Sequence, residues 1–134
     1  MQKKLKFSPR ARVRSFTYAF TGLWDMLRTE PNAWIHAFAT VAVLGLAFWL
    51  QVGRVKLCVL ILSVVSVWAA EAFNTVLEIM ADLVVVDRYS RTVKRAKDVA
   101  AAAVLVASMG ALAIGLIILG PPLYERLAMF RGRA

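Results

Sequence analysis

The feature that most constrains this chain is a run of 21 residues, Val99 to Leu119, without a single Asp, Glu, Lys or Arg. About 20 apolar residues in a helix are what cross the hydrocarbon core of a bilayer. Two more runs compete for the same role. Ala33 to Leu50 is 18 residues free of charge, and Leu57 to about Ala81 is clean as far as Ala70. Between them lie short polar stretches, Gln51 to Lys56 and Asp82 to Asp98. The chain is 60% hydrophobic, where a soluble domain is nearer half. We expect a single domain, residues 1–134, of the all-α membrane class, with spans at 33–52, 57–81 and 98–119.

The first 30 residues differ. From Ser8 to Arg28, Val13, Phe16, Phe20, Leu23 and Leu27 recur at helical spacing, with Arg10, Arg14, Thr17, Thr21, Asp25 and Arg28 largely opposite. That pattern predicts an amphipathic helix within residues 1–30, lying on the membrane surface. The Lys-rich residues 1–6 are expected to be loose, and no signal-peptide pattern is visible. Pro31 and Asn32 suit the start of the first span, as first-turn residue and cap. Gly120-Pro121-Pro122 is expected to end the third.

The formal charge is +9, and the bases flank the apolar runs. No zinc-finger or RNA-binding fingerprint accompanies them, so anionic lipid or a phosphorylated ligand is the expected partner rather than nucleic acid. Seven Lys and Arg precede the first span and five lie in the 82–98 loop, against two in the 51–56 turn and three after the third span. By the positive-inside rule the N-terminus and the 82–98 loop are cytoplasmic. Cys58 is the lone cysteine, in an apolar run, and is read as a buried inert thiol. Ala103, Ala107, Ala111 and Gly115 form a small-residue stripe suited to close helix packing. Trp24, Trp34 and Trp49 read as interface anchors, Trp68 as packing.

Chemistry is concentrated in the second span. Glu71, Asn74, Glu78 and Asp82 are spaced by three, four and four. At 100° per residue they fall within an arc of about 80°, and they climb roughly 16 Å along a helix. Lipid would not tolerate this stripe, because an ionised carboxylate near the bilayer centre costs about 2.5–3.5 kcal/mol. Glu71 lies about 10 Å deeper than Glu78. No Lys or Arg lies at its depth in any span. The stripe could be interhelical glue, or Glu71 could be protonated and hydrogen-bonded. The reading we prefer is a site at which carboxylates, joined by a hard divalent cation such as Mg²⁺, meet substrate phosphate. Glu30, Glu78, Asp82, Lys97 and Asp98 all reach the cytoplasmic level, and Lys97 could neutralise phosphate oxygens. Metal, cation and an orienting carboxylate are the parts of phosphoryl transfer. No GxxxxGK[ST] loop is present. A non-catalytic adaptor or cation channel is the competing class. A channel would need polar residues through the whole depth, whereas Leu57 to Val67 is apolar apart from serines.

At these residues the chain resembles a known family. Glu71-Ala-Phe-Asn74-Thr-Val-Leu-Glu78-Ile-Met-Ala-Asp82, then Lys94-Arg-Ala-Lys97-Asp98-Val-Ala-Ala-Ala-Ala-Val104, is similar to the small prokaryotic diacylglycerol kinase and undecaprenol kinase family. Ser15-Phe16, Ala19, Gly22-Leu23 and Glu30-Pro-Asn32-Ala-Trp-Ile35-His36 match upstream, so the likeness covers about residues 10–120. The resemblance implies a homotrimer in a prokaryotic plasma membrane, each subunit with a surface helix and three spans. It implies transfer of the ATP γ-phosphate to the hydroxyl of a membrane lipid. Of the two lipids, undecaprenol is favoured over diacylglycerol by the Glu30-to-His36 stretch. By matching position Glu71 is the catalytic carboxylate, with Asn74 beside it. Glu30 and Glu78 hold divalent metal. Lys97 contacts nucleotide phosphates, and Asp82, Asp98 and Arg14 complete the nucleotide side. The chain departs from the family pattern at Ser90, where relatives often carry histidine, and at Trp34, where many have arginine. His36 is expected to be a structural hydrogen bonder.

Overall fold

The computed structural model describes residues 8–84 and 90–131 of the chain. Four helices follow one another: α1 (Pro9–Thr29), α2 (Pro31–Trp49), α3 (Arg54–Val84) and α4 (Arg91–Arg131). Among the described residues there is no strand. The Lys-rich residues 1–6 and the Asp87-Arg88-Tyr89 part of the loop lie outside the described residues.

α2, α3 and α4 are each long and apolar enough to cross a membrane. Their surface agrees. The accessible area is 11420 Å², where a compact soluble protein of this mass exposes about 7,000 Å². Phe38, Phe48 and Val55 are about four-fifths exposed. The chain is an all-α membrane protein, and among the described residues its large apolar side chains are exposed far more often than buried. Cys58 shows the consequence: it is exposed, not buried. In a membrane helix an apolar position does not imply contact with protein, because lipid serves equally well.

Each junction has a local cause. Proline disfavours helical backbone in the residue before it. Glu30, ahead of Pro31, is accordingly extended (φ −105°, ψ 112°), ends α1 and caps α2. Asn32 is therefore inside the first turn and not the cap. Between α2 and α3 the chain reverses in four residues. Gln51 N–H donates to Phe48 O (3.1 Å) and Val52 N–H to Ala47 O (3.1 Å), the paired bonds of a Schellman cap. Gln51 itself sits at φ 52°, the left-handed region. Val52 packs against a core of Ala47, Leu60 and Leu119, which fastens α2, α3 and α4 at this end. α3 and α4 make the most extensive helix pair, and they run antiparallel, with Leu60 near Leu119 at one end and Asp82 bonded to Lys97 at the other.

The helix of the third span does not stop at Gly120. α4 runs through Pro121 and Pro122 to Arg131. The two prolines remove two backbone donors, but their fixed φ is already helical. The helix therefore continues past them. The continuation brings the Arg126 guanidinium over the Trp49 ring, 5.4 Å from its centroid.

Among the residues whose burial is described, α1 is almost wholly exposed and Met26 is the one buried. Val13, Phe16, Phe20 and Trp24 point away from the bundle, and Arg28 stacks on Trp24 at 4.7 Å. A non-glycine residue in left-handed backbone is unfavourable by about 1–2 kcal/mol. Gln51→Gly is therefore expected to raise the unfolding free energy in detergent micelles by roughly 1 kcal/mol, read from reversible denaturation. No gain would show that the turn holds no such strain.

Candidate active site

Glu71 sits on the inner face of α3 with none of its surface exposed. Its two carboxylate oxygens have no hydrogen-bond partner. Across the helix interface His36 Nε2 on α2 lies 3.7 Å from Oε2, too far for a hydrogen bond. His36 Nε2 is itself unpaired, as are Asn74 Oδ1 and Ser108 Oγ. Buried polar atoms are nearly always paired, and leaving one unpaired costs about 1–3 kcal/mol. Four neighbouring side chains with unpaired atoms mark a place built for something else.

The rest of the stripe grades outward. Asn74 and Thr75 are buried, Glu78 is half-buried and Asp82 is exposed. Asn74 Nδ2 donates to Glu78 Oε1 (3.0 Å), and the Thr75 hydroxyl donates to the Glu71 carbonyl (3.1 Å). The stripe thus faces protein where it is deep and solvent where it is shallow. At its shallow end Lys97 Nζ of α4 donates to Asp82 Oδ1 (2.9 Å), so Lys97 and the acidic stripe share one end of the bundle. A hollow of about 270 Å³ is lined by Asn32, His36, Glu71, Asn74, Glu78 and Ser108 among others.

The sequence-predicted residues do not all converge. Glu71, Asn74 and Glu78 share that hollow. Glu30, at the α1–α2 junction, and Glu78 both lie within Coulombic reach of Glu71. Glu30 makes no capping bond with its side chain. Asp82 and Lys97 pair just outside. Asp98 is turned to Lys94 on its own helix (2.6 Å). Arg14 lies against the Tyr18 ring on α1 (5.9 Å to its centroid) and does not line the hollow. Ser90 stands immediately before α4, and its carbonyl accepts from Lys94 N–H (3.0 Å).

Among the described residues no group of three His, Cys, Asp or Glu side chains is placed to hold a metal ion unaided. The donor chemistry nevertheless suits a hard cation. Mg²⁺ commonly takes one or two carboxylates from protein and the rest from substrate phosphate and water. Glu30 and Glu78, the two carboxylates within Coulombic reach of Glu71, are of that chemistry.

With this geometry established, comparison with known proteins is informative. The family model for prokaryotic diacylglycerol kinase matches residues 17–119. The chain belongs to that family. The match takes in all the site residues named above except Arg14, and it ends before Pro121. Two curated members of the family illustrate the range. Over 109 residues the chain is 40% identical to a protein of Synechocystis sp. named diacylglycerol kinase, an alignment covering 81% of this chain and 62% of that protein. Over 110 residues it is 36% identical to a protein of Bacillus subtilis named undecaprenol kinase, covering 82% of this chain and 89% of that one. The chain therefore spans less than two thirds of the Synechocystis family member's length and most of the Bacillus one.

The sequence reading took His36 for a structural hydrogen bonder, yet its Nε2 has no partner, and it did not single out Ser108; both line the hollow with Glu71. His36 is six residues past Glu30, about 9 Å of helix, and Glu71 is seven before Glu78, about 10 Å. For antiparallel helices starting at one level, this equality would have paired them. Replacing an unpaired buried carboxylate by a hydrocarbon removes its desolvation penalty. Glu71→Leu is expected to stabilise the folded protein in detergent by about 1–3 kcal/mol. Destabilisation would mean that the carboxylate has a structural partner.

Proposed function

We propose that this protein is an integral-membrane lipid kinase that moves the γ-phosphate of ATP to the hydroxyl of a membrane alcohol. The observation that carries the reading is Glu71: a fully buried carboxylate with both oxygens unpaired, facing a hollow with two further carboxylates nearby and Lys97 at its outer edge. Membership of the family supports it.

In this reading the lipid hydroxyl donates its hydrogen bond to Glu71. Its oxygen attacks the γ-phosphorus as the bond to the β-phosphate oxygen breaks. The proton passes to the Glu71 carboxylate, and ADP leaves with the displaced charge. Asn74 holds Glu78 in place through its amide. Glu30 and Glu78 would hold Mg²⁺, which supplies charge neutralisation on the phosphates. Lys97 leaves Asp82 for the nucleotide phosphates, and Asp82, Asp98 and Arg14 complete that side. The chemistry falls at the cytoplasmic face of the plasma membrane, where the bases cluster and ATP is found. The large outward apolar area suits assembly as a homotrimer within lipid.

For the acceptor, undecaprenol is the first choice. The Bacillus family member that bears this substrate's name aligns over most of its own length. Diacylglycerol is the second reading, favoured by the name of the Synechocystis family member. Purified protein in mixed micelles with Mg²⁺ and labelled ATP is expected to phosphorylate undecaprenol faster than diacylglycerol; the reverse order would replace the first choice by the second. Glu71→Gln is expected to lower turnover by about 100-fold or more, the scale of a general base, with the oligomer intact by cross-linking. Retained turnover would remove Glu71 from this role. Lys97→Ala is expected to raise the KM for ATP by more than that for lipid; an unchanged ATP dependence would contradict the phosphate contact.

A further inference from the structure

Thr40 is where α2 is tied to α3. Its hydroxyl donates to His36 O, one turn earlier (2.7 Å), and accepts from Trp68 Nε1 of α3 (3.0 Å). The directions are forced. A threonine hydroxyl has one hydrogen, committed here to the His36 carbonyl, so its oxygen can only accept; an indole N–H can only donate. Among the described residues this is the one side-chain hydrogen bond that joins α2 to α3.

The bond stands beside the polar hollow and not in it. Thr40 is four residues past His36, and Trp68 is three before Glu71, about one helical turn in each case. Neither Thr40 nor Trp68 lines the hollow. The Trp68 ring meets the His36 ring edge-on, with centroids 6.5 Å apart and planes at 64°. The indole that grips Thr40 therefore also limits how the imidazole can turn, and His36 Nε2 rests 3.7 Å from Glu71 Oε2.

The other ties on α2 leave its tilt and rotation open. At the far end, the Schellman turn and the packing of Ala47 with Leu60 and Leu119 stop it from sliding. A rod fixed at one end still swings at the other. At the site end the buried residue of α2 is Ala33, and a small side chain permits close approach without keying rotation. A hydrogen bond is directional. Between helices in a membrane such bonds add only modestly to stability, so the contribution of this one is geometric.

Resting on the kinase reading, we infer that Thr40 and Trp68 are positioning residues, whose bond sets the tilt and rotation of α2 against α3. It thereby holds His36, and Glu30 at the head of α2, within reach of Glu71. Neither Thr40 nor Trp68 touches a reactant.

The test removes the bond with little change of shape. Thr40→Val deletes the hydroxyl, Trp68→Phe deletes the N–H, and Thr40→Ser keeps the hydroxyl. Geometry is read without turnover, in full-length Cys58→Ser protein with nitroxide labels on Trp34→Cys and Phe73→Cys, two exposed positions at the site end. A second pair, Phe48→Cys and Ile61→Cys, is also exposed and reports the far end. Labelled chains are co-assembled with an excess of unlabelled ones, so that only pairs within one chain are seen. Thr40→Val and Trp68→Phe are each expected to broaden or shift the site-end distances by electron resonance and to leave the far-end pair unchanged. Thr40→Ser is expected to change neither pair. In the unlabelled protein, kcat for the lipid alcohol is expected to fall about 10-fold or more in either variant, because small misplacements near reacting groups carry large rate losses. The double variant should be no slower than the worse single one, since both remove the same contact. Thr40→Ser should restore kcat. Unchanged site-end distances overturn the proposal. So do changes at both ends, which would make the bond a general support, and so does an unchanged kcat in an active kinase whose site-end distances have moved. Independent, additive losses in the double variant overturn it as well. If the unmutated protein phosphorylates no lipid, the kinase reading fails, while the label distances still decide whether the bond sets α2.

Discussion

The structure is organised around a carboxylate that it buries and does not satisfy. Glu71 has no exposed surface and no hydrogen bond to either oxygen. A buried unpaired polar group works against folding by about 1–3 kcal/mol, and the bundle absorbs this by stabilisation elsewhere. The apolar contacts of Ala47, Leu60 and Leu119 lie toward the opposite end of the helices. The Schellman turn at Gln51 ties α2 to α3 at that same end. One end of the bundle is thus packed for stability, and the other is left with vacant hydrogen-bonding capacity.

The outer charges have a different character. Lys97 and Asp82 are bonded, yet Asp82 is largely exposed, and exposed ion pairs contribute little to stability. Such a pair can open at little cost when a more highly charged ligand arrives. Lys94 and Asp98 repeat this one turn along the helix. Polarity therefore falls into two tiers: deep groups that are unpaired and costly, and shallow groups that are paired and exchangeable. The kinase proposed above would use that order, with its alcohol reached from the apolar side and its nucleotide from the aqueous side.

The membrane also changes what counts as a core. Few residues of a single chain are buried, and large aromatic side chains stand outward along α1, α2 and α4. Water would not permit this surface, whereas lipid or neighbouring subunits do.

Local pattern was enough for the helices. Length and charge-free runs set the three apolar helices, Pro31 set the break at Glu30, and the three-four-four spacing put Glu71, Asn74, Glu78 and Asp82 on one face. These features depend on residues near one another in the chain, where helical geometry is the only unknown. The helix was expected to end at Gly120-Pro121-Pro122, but α4 continues to Arg131, because the fixed φ of proline is already helical. Cys58 was misplaced because an apolar position in a membrane helix does not imply contact with protein. What only the tertiary structure decided is which groups meet across helices. It set His36 against Glu71 and Lys97 against Asp82, and it opened the polar hollow, at His36 and Ser108, onto an apolar groove between α2, α3 and α4. Those pairings depend on helix rotation and axial offset, which arise from the sum of many weak packing contacts and leave no short motif behind.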